Sequence, residues 1–337
     1  MRFYTTMWGK RGLFSDEVIN IRSGRRDRFR MFCSAYEIKR GDVVLVNGAP
    51  GASDCWADLF FASIVALKGA KVLISDATWH PRALSHLSKA GLLFRLSSWL
   101  SRRLLLLCDY GATDFCFLSR VEVNEFARES GIPVTRVHFT RFCTQFPDDF
   151  EFNDSTIEDS LDQSGYLFAG GNSLRDYDTL AAALRNTQFS AVIGTSNAVP
   201  QMERATVGYI GGNRFFDVMK DSALVVVPLL GGLTRSVGQQ TYLNAMAMGK
   251  LVIVSDTPGV RDHLCHEGNA LIVPPGDPAA LKNAICWAFD PNNRFKIKSI
   301  RQSARKFGIE RDFPAYCREL EGIMRTMATR DTSKRRN

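Results

Sequence analysis

Several short stretches of this chain carry residue types that hold or move charge. Gly238 runs into Gln239, Gln240 and Thr241, small or polar residues that suit a helix start. The first N–H groups of a helix lack partners within it and favour an anion there, typically a phosphate. Gly170 and Gly171, followed by Asn172, let backbone approach a ligand closely. Arg175 is the only basic residue of that loop, and Arg235 lies just before Gly238. A guanidinium suits phosphate because its fork makes two parallel hydrogen bonds; a surface pairing with Asp178 is the plainer reading of Arg175. Asp76 and His80 follow a strand-like run, where each can accept a proton. Asp76 serves equally well as a turn or helix-capping residue, and His80 as an ordinary loop residue.

The elements that must position these residues read as alternating strands and helices. The run 251–254 (LVIV) is continuous and apolar, which suits a strand buried on both faces of a parallel sheet. Asp256, Pro258 and Gly259 lie past its carboxyl end, where open α/β sheets bind ligands. Before it, Leu243, Ala245, Met246 and Ala247 form a helical face that Gly249 terminates. Residues 42–47 form a second buried strand, with Gly48, Ala49, Pro50 and Gly51 as its turn. A helix over 54–67 follows, with Trp56, Leu59, Phe60, Ile64 and Leu67 on its apolar side, then a strand over 71–75. Residues 113–119 read as a strand, and Ser119 and Glu122 as a capping box on the next helix. That helix stops before Gly131-Ile132-Pro133, and a strand follows at 137–139. Further strands are expected at 166–169, 191–193, 207–210, 224–227 and 269–273. Helices are expected from Asp176 or Asp178 to Leu184, and over 215–220, 278–289, 294–307 and 313–327. Residues 1–40 show no strong strand.

Length and composition narrow the class. The 337 residues suit two domains, and 45% hydrophobic with 23% charged residues is ordinary for a globular protein. The net charge of +8 fits phosphate-bearing substrates or an anionic membrane, and equally no special partner. The basic segment 22–30 suits an anionic surface or a solvated face. Residues 91–107 (GLLFRLSSWLSRRLLLL) combine leucines, a tryptophan and arginines, the pattern of an interfacial helix or of a buried helix whose arginines extend to water. No secretory leader is read at the start, and no apolar run is long enough to cross a bilayer. The eight cysteines lack Cys-x-x-Cys spacing and read as reduced, buried thiols of a cytoplasmic protein. Residues 48–55 (GAPGASDC) lack the lysine and glycine spacing of a P-loop, and no Gly-x-Gly-x-x-Gly follows a strand. No metal site and no nucleic-acid partner are expected.

Residues 244–249 (Asn-Ala-Met-Ala-Met-Gly), their loop-to-helix start and the buried strand after them resemble the donor-binding segment of GT-B glycosyltransferases. The likeness is to the family 4-like group, also called glycosyl transferases group 1. The resemblance extends over about residues 42–327, through several motifs in order. It implies an α/β fold of two Rossmann-like, doubly wound parallel-sheet domains facing across a cleft, the first abridged. The expected organisation is an acceptor-side domain at 1–150, a linker at 151–164 and a nucleotide-sugar domain at 165–310. A helix at 311–327 would cross back to the first domain, and 328–337 would form a disordered tail.

By the same resemblance, the activity is metal-independent transfer of a hexose from a nucleotide sugar, UDP- or GDP-linked, to a glycan or lipid-linked acceptor. The setting would be cell-surface polysaccharide or glycolipid synthesis at the inner membrane face, without a resident cofactor. Arg175, Arg235 and the start at Gly238, Gln239, Gln240 and Thr241 would bind the diphosphate. Gly170, Gly171, Asn172, Gly194, Thr195 and Tyr209 would surround the nucleotide. The family's two glutamates, eight residues apart, fall on Ser236 and Asn244, so Asn244 would bind ribose hydroxyls without a full charge. Gly48, Pro50 and Gly51 would face the acceptor, with Asp76 as general base and His80 as runner-up. A GT-B protein that has lost catalysis, or a sugar-nucleotide epimerase on the same fold, are the alternatives.

Overall fold

A computed structural model of the chain describes residues 1–7, 14–21, 28–48, 55–76, 113–147, 150 and 165–330. Two compact units divide it: Met1–Arg141 with Pro314–Asn337, and Phe142–Phe313. Residues 142–147 and 150, read above with the first domain, therefore sit in the second unit.

The first unit is built on strands β1 (Phe3–Thr5), β2 (Val18–Asn20), β3 (Val43–Asn47), β4 (Lys71–Ser75), β5 (Thr113–Phe117) and β6 (Val137–Phe139). Helices α1 (Arg28–Ser34), α2 (Cys55–Leu67) and α3 (Arg120–Ser130) connect them. All described pairings are parallel, in the order β2-β1-β3-β4-β5-β6. Strand order turns back between β1 and β3, so Gly48 leaves the sheet at a switch point, where such folds bind ligands. Two of these strands come from residues 1–40, where no strong strand is read: three residues each are too few to show periodicity. Ser119 caps α3 by accepting from the Val121 amide at 3.1 Å.

The helical face of α2 corrects the sequence reading. Its buried apolar residues, among those described, are Leu59, Phe61, Ala62, Val65 and Ala66, whereas Phe60 and Leu67 point outward; the side chain of Trp56 lies outside those described. Because nearly every residue of α2 is apolar, spacing alone could not choose the core side.

The second unit carries β7 (Leu167–Gly170), α4 (Tyr177–Leu184), β8 (Ala191–Gly194), β9 (Ala205–Gly208), α5 (Asn213–Asp221) and β10 (Leu224–Val227). It continues through α6 (Gln239–Ala247), β11 (Leu251–Ser255), α7 (Val260–His263), β12 (Leu271–Val273), α8 (Pro278–Phe289) and α9 (Arg294–Glu310). Its parallel order is β12-β11-β10-β7-β8-β9, the doubly wound pattern with its switch between β7 and β10. Strand β9 begins and ends two residues earlier than expected, so Tyr209 lies beyond it.

Helix α6 is fixed from behind by α9. A side chain on Gly308 would begin 2.5 Å from the Ala247 amide nitrogen, so only glycine permits this approach. Below α6, Lys250 is 1% exposed and donates to the Ser222 carbonyl at 2.7 Å. Burial first, then the nearby Arg301, lowers its pKa from 10.5 to about 8. Below pH 8 the ammonium is charged in both folded and unfolded chains, and the fold carries its desolvation cost. Between pH 8 and 10.5 the unfolded chain binds more protons, so stability rises with pH. The full shift of 2.5 pH units corresponds to about 3 kcal/mol. Urea titrations from pH 8 towards pH 10 should show most of that rise, and Lys250→Met should flatten it. Above pH 10, buried Tyr242 acts with the opposite sign, because burial raises its pKa.

The last helix, α10 (Phe313–Thr329), belongs with the first unit from Pro314 onwards. Ala328 to Arg330 are not a free tail: the Lys71 ammonium takes the carbonyls of Met327, Ala328 and Arg330 at 2.8, 3.0 and 2.7 Å. Residues 331–337 and the expected linker 151–164 lie outside the described residues. Of the cysteines, Cys116, Cys143 and Cys317 are buried as expected, but Cys33, Cys265 and Cys286 are exposed. No helix among the described residues is long and apolar enough to cross a membrane.

Candidate donor site at the switch point of the second sheet

The switch between β7 and β10 gathers most of the candidate residues in one unit. Strand β7 ends at Gly170, where a side chain would begin 2.6 Å from the Phe215 ring. Gly171 has φ 114°, a conformation that L side chains rarely adopt, and a Cβ there would begin 2.6 Å from Arg175 Nη2. These two glycines therefore make room for an aromatic ring and a guanidinium.

Arg175 is held by three uncharged acceptors. Nε donates to the Gly170 carbonyl at 3.0 Å, Nη1 to the Ser173 carbonyl at 2.8 Å and Nη2 to Thr241 Oγ1 at 3.0 Å. Its backbone also bridges Leu229, at the end of β10. Among the described residues no carboxylate pairs with it, and Asp178 is exposed on the first turn of α4. Burial lowers its pKa, but an arginine lowered in this way is still charged at neutral pH. Neutral oxygens thus orient a cation whose charge stays uncompensated beside the first turn of α6. Tyr177 steadies the same loop: its hydroxyl donates to the Gly171 carbonyl at 2.7 Å, and burial raises its pKa.

The loop after β8 is tied to the loop after β7. The Gly194 carbonyl accepts from the Gly171 amide at 3.0 Å. Asn172 Oδ1 accepts from Thr195 Oγ1 and from the Ser196 amide, both at 2.8 Å. Asn172 and Thr195 therefore shape the rim with their side chains, leaving backbone as the facing surface. Tyr209 is 77% exposed, and its hydroxyl lies over Gly211, where a Cβ would begin 2.5 Å away.

Helix α6 begins at Gly238, with φ 77° and no capping side chain. Its amides and its dipole add positive potential beside Arg175. Thr241 turns its hydroxyl to Arg175. Gln239 is buried and faces His263 at 3.2 Å, while Gln240 is exposed and donates to Gln145 Oε1 at 3.3 Å. Arg235 is half-buried and Ser236 buried in the loop that leads here.

Asn244 departs from its expected part. It is 2% exposed; Oδ1 accepts from the Gln145 amide at 2.9 Å, and Nδ2 donates to the Gln145 carbonyl at 3.0 Å. An asparagine offers both a donor and an acceptor, so it matches one backbone residue as a neighbouring strand would. The side chain is thus committed to the incoming segment, not presented to ribose. That segment is anchored by Phe146, stacked on Phe150 with centroids 4.8 Å apart, and both rings pack on Phe216. Sequence reasoning missed Gln145, which no local signal marks. It also missed Arg261, whose Nε and Nη2 reach Asp256 Oδ2 at 2.9 and 2.8 Å past β11.

In the first unit, Asp76 follows β4 with φ 51°, a left-handed conformation that aspartate tolerates better than most residues. Its amide donates to the Cys116 carbonyl at 2.7 Å, and the Gly48 amide donates to the Ser75 carbonyl at 2.7 Å. The Cys116 thiol is pushed up by burial and then by the Asp76 charge. His80, Pro50, Gly51 and residues 91–107 lie outside the described residues. No group of three metal-ligating side chains occurs among the described residues.

Residues 178–290 match the family model of glycosyl transferases group 1. No curated protein matches the chain by sequence. Among solved structures, Anabaena Alr3699/HepE in complex with UDP is similar over 92% of this chain and 86% of its own, at 13% identity and TM-score 0.62. Sucrose-phosphate synthase from Thermosynechococcus elongatus shares 14% identity over 92% of this chain and 83% of its own, with TM-score 0.61. WaaG, a glycosyltransferase involved in lipopolysaccharide biosynthesis, shares 12% identity over 96% of this chain and 99% of its own, with TM-score 0.56. Residues 178–290 thus match the glycosyl transferases group 1 model, and the chain has the two-domain α/β fold of GT-B glycosyltransferases.

Proposed function

We propose that the protein transfers a sugar from a nucleotide sugar to an acceptor hydroxyl. One observation carries this reading: among the described residues Arg175 is a cation held by neutral oxygens, beside the uncapped start of α6, at the switch point of a doubly wound sheet. A departing nucleoside diphosphate is the group whose charge such a site would stabilise. A UDP-sugar is the favoured donor, because Alr3699/HepE has been solved with UDP and with UDP-glucose.

In this reading Arg175 and the α6 amides take the diphosphate charge, and Arg235 is a second cation for it. Backbone at Gly170, Gly171 and Gly194 lines the nucleotide, with Tyr209 near the base. Ribose hydroxyls are left to backbone groups, because Asn244 is engaged with Gln145. Asp76 is the general base if the anomeric centre inverts. We assign no metal or cofactor to the reaction. The acceptor we infer is a glycan or lipid-linked sugar in cell-surface polysaccharide or glycolipid synthesis, at the cytoplasmic face of a membrane. The contact expected of residues 91–107 rests on sequence alone.

A second reading is a binding protein on the same fold. It is favoured by Ser236 and Asn244 standing where the family has glutamates, and by Asn244 being committed to Gln145. Purified protein should show a raised melting temperature with one class among UDP-, GDP-, ADP- and dTDP-sugars, since a ligand that binds only the native state stabilises it. Release of free nucleotide with an acceptor extract would then favour the transferase. Binding without turnover would favour the second reading, and no shift with any donor would count against both.

A further inference from the structure

Helices α1 and α2, with the turn after α1, leave four large apolar side chains exposed. On α1, Met31 is buried, while Phe29 is 83% exposed; in the turn after α1, Tyr36 is 91% exposed. On α2, Phe60 is 53% and Leu67 61% exposed. The two stripes lie side by side. Phe32 of α1 contacts Phe60 with ring centroids 6.1 Å apart, and Lys68, after α2, donates to the carbonyls of Ala35 and Tyr36. As α1 advances from Phe32 to Tyr36, α2 therefore advances from Phe60 to Lys68, and the helices run in the same direction. Phe29 and Tyr36 thus flank Phe60 and Leu67 as one patch, over Phe32 and Ile64, which pack on the core.

The rim of this patch has one dominant sign. Among the described residues Arg28, Arg30, Lys39, Arg40 and Lys68 border it, against one exposed acid, Glu37. Arg40 lies beside the end of α2, since a Cβ on Gly69 would begin 3.0 Å from its Cγ. A second copy of the chain is a poor occupant: a two-fold contact would bring the cationic rim against itself. Projecting aromatic tips ringed by cations match an anionic bilayer instead. There, apolar tips enter the boundary of headgroups and acyl chains while lysine and arginine meet the phosphates. We propose that the α1–α2 face is a docking surface for anionic phospholipid membranes. The inference stands independently of the transferase reading, because binding to vesicles requires no turnover.

The test is flotation of the full chain with vesicles of phosphatidylcholine alone, or of phosphatidylcholine with an equal part of phosphatidylglycerol. Binding to the anionic vesicles only, weakened by salt, is expected. Phe29→Ser/Phe60→Ser/Leu67→Ser should lower the partition by more than about tenfold, and Arg30→Glu/Lys39→Glu by about fivefold per removed cation or more. These side chains are exposed, so melting temperature and circular dichroism should match the parent. The charge pair keeps the test open if the apolar variant folds poorly. Failure to bind anionic vesicles would overturn the proposal. So would binding that both variants leave intact, which would place the contact elsewhere. A dimer dissolved by the variants, without lipid binding, would overturn it in favour of a second copy.

Discussion

Arg175→Ala should abolish the nucleotide-sugar-induced rise in melting temperature and lower kcat/KM about a hundredfold to a thousandfold, the usual cost of removing one transition-state donor. The size follows from what Arg175 is bonded to. Its three acceptors are two carbonyls and a hydroxyl, so no local anion shares its charge among the described residues. Alanine would remove an oriented cation beside α6 and leave the helix dipole and Arg235 for the diphosphate. Arg175→Lys separates charge from geometry. A lysine keeps the charge but not the fork that bridges Gly170 and Thr241, so partial rescue is expected. Ligand-free melting is the control, because the lost bonds join a half-buried loop and should cost about 1 kcal/mol each or less. A variant that melts normally and still binds and turns over donor at the parental rate would refute this assignment.

How far the sequence revealed this site depended on the range of the interactions. Leu224–Val227 and Leu251–Ser255 were legible because a parallel strand buried on both faces is a continuous apolar run. The Asp176 cap and the Gly238 helix start were legible because both act within a few residues; the Asp176 carboxylate accepts from the Thr179 amide at 2.9 Å. Asn244 was not, because its partner Gln145 is 99 residues away and contributes only backbone. A family motif suggests which atom faces a ligand, but it cannot show that another backbone segment has already taken that atom. Tyr209 was placed in a strand by its apolar neighbours, whereas the ladder closes at Gly194 opposite Gly208. The outer face of α2 was misread for a different reason. Phe60 and Leu67 have helical spacing and apolar chemistry, and only the position of the sheet shows that this face is outside.

The catalytic reading of the first unit rests on Asp76, whose backbone is left-handed. Left-handed backbone persists where surrounding structure fixes it, and the Asp76 amide is fixed by the Cys116 carbonyl. This conformation turns the backbone where β4 ends. The second unit carries the same kind of backbone beside Arg175, at Leu174 with φ 53°, and three acceptors then orient the guanidinium.

Asp114→Ala should destabilise the first unit by about 3–5 kcal/mol, the range for removing one partner of a buried ionic network. Asp114 is 2% exposed on β5. Its Oδ2 lies 2.6 Å from His138 Nε2, and Arg330 Nη1 donates to both carboxylate oxygens at 3.0 and 2.8 Å. Arg136 Nε lies 3.8 Å away and also donates to the Thr113 carbonyl at 3.0 Å. Alanine would leave the buried Arg136 and the half-buried Arg330 without their shared counter-charge. It would also loosen the end of α10, whose last carbonyls Lys71 takes. The loss should therefore have a location: hydrogen exchange should quicken first in the last turn of α10 and along β5. Asp114→Asn keeps the volume and part of the hydrogen bonding, so its cost should fall between alanine and the parent. If Asp114→Ala instead costs under about 1 kcal/mol in urea unfolding, as an exposed pair would, the cluster is an ornament of the sheet edge and does not hold α10.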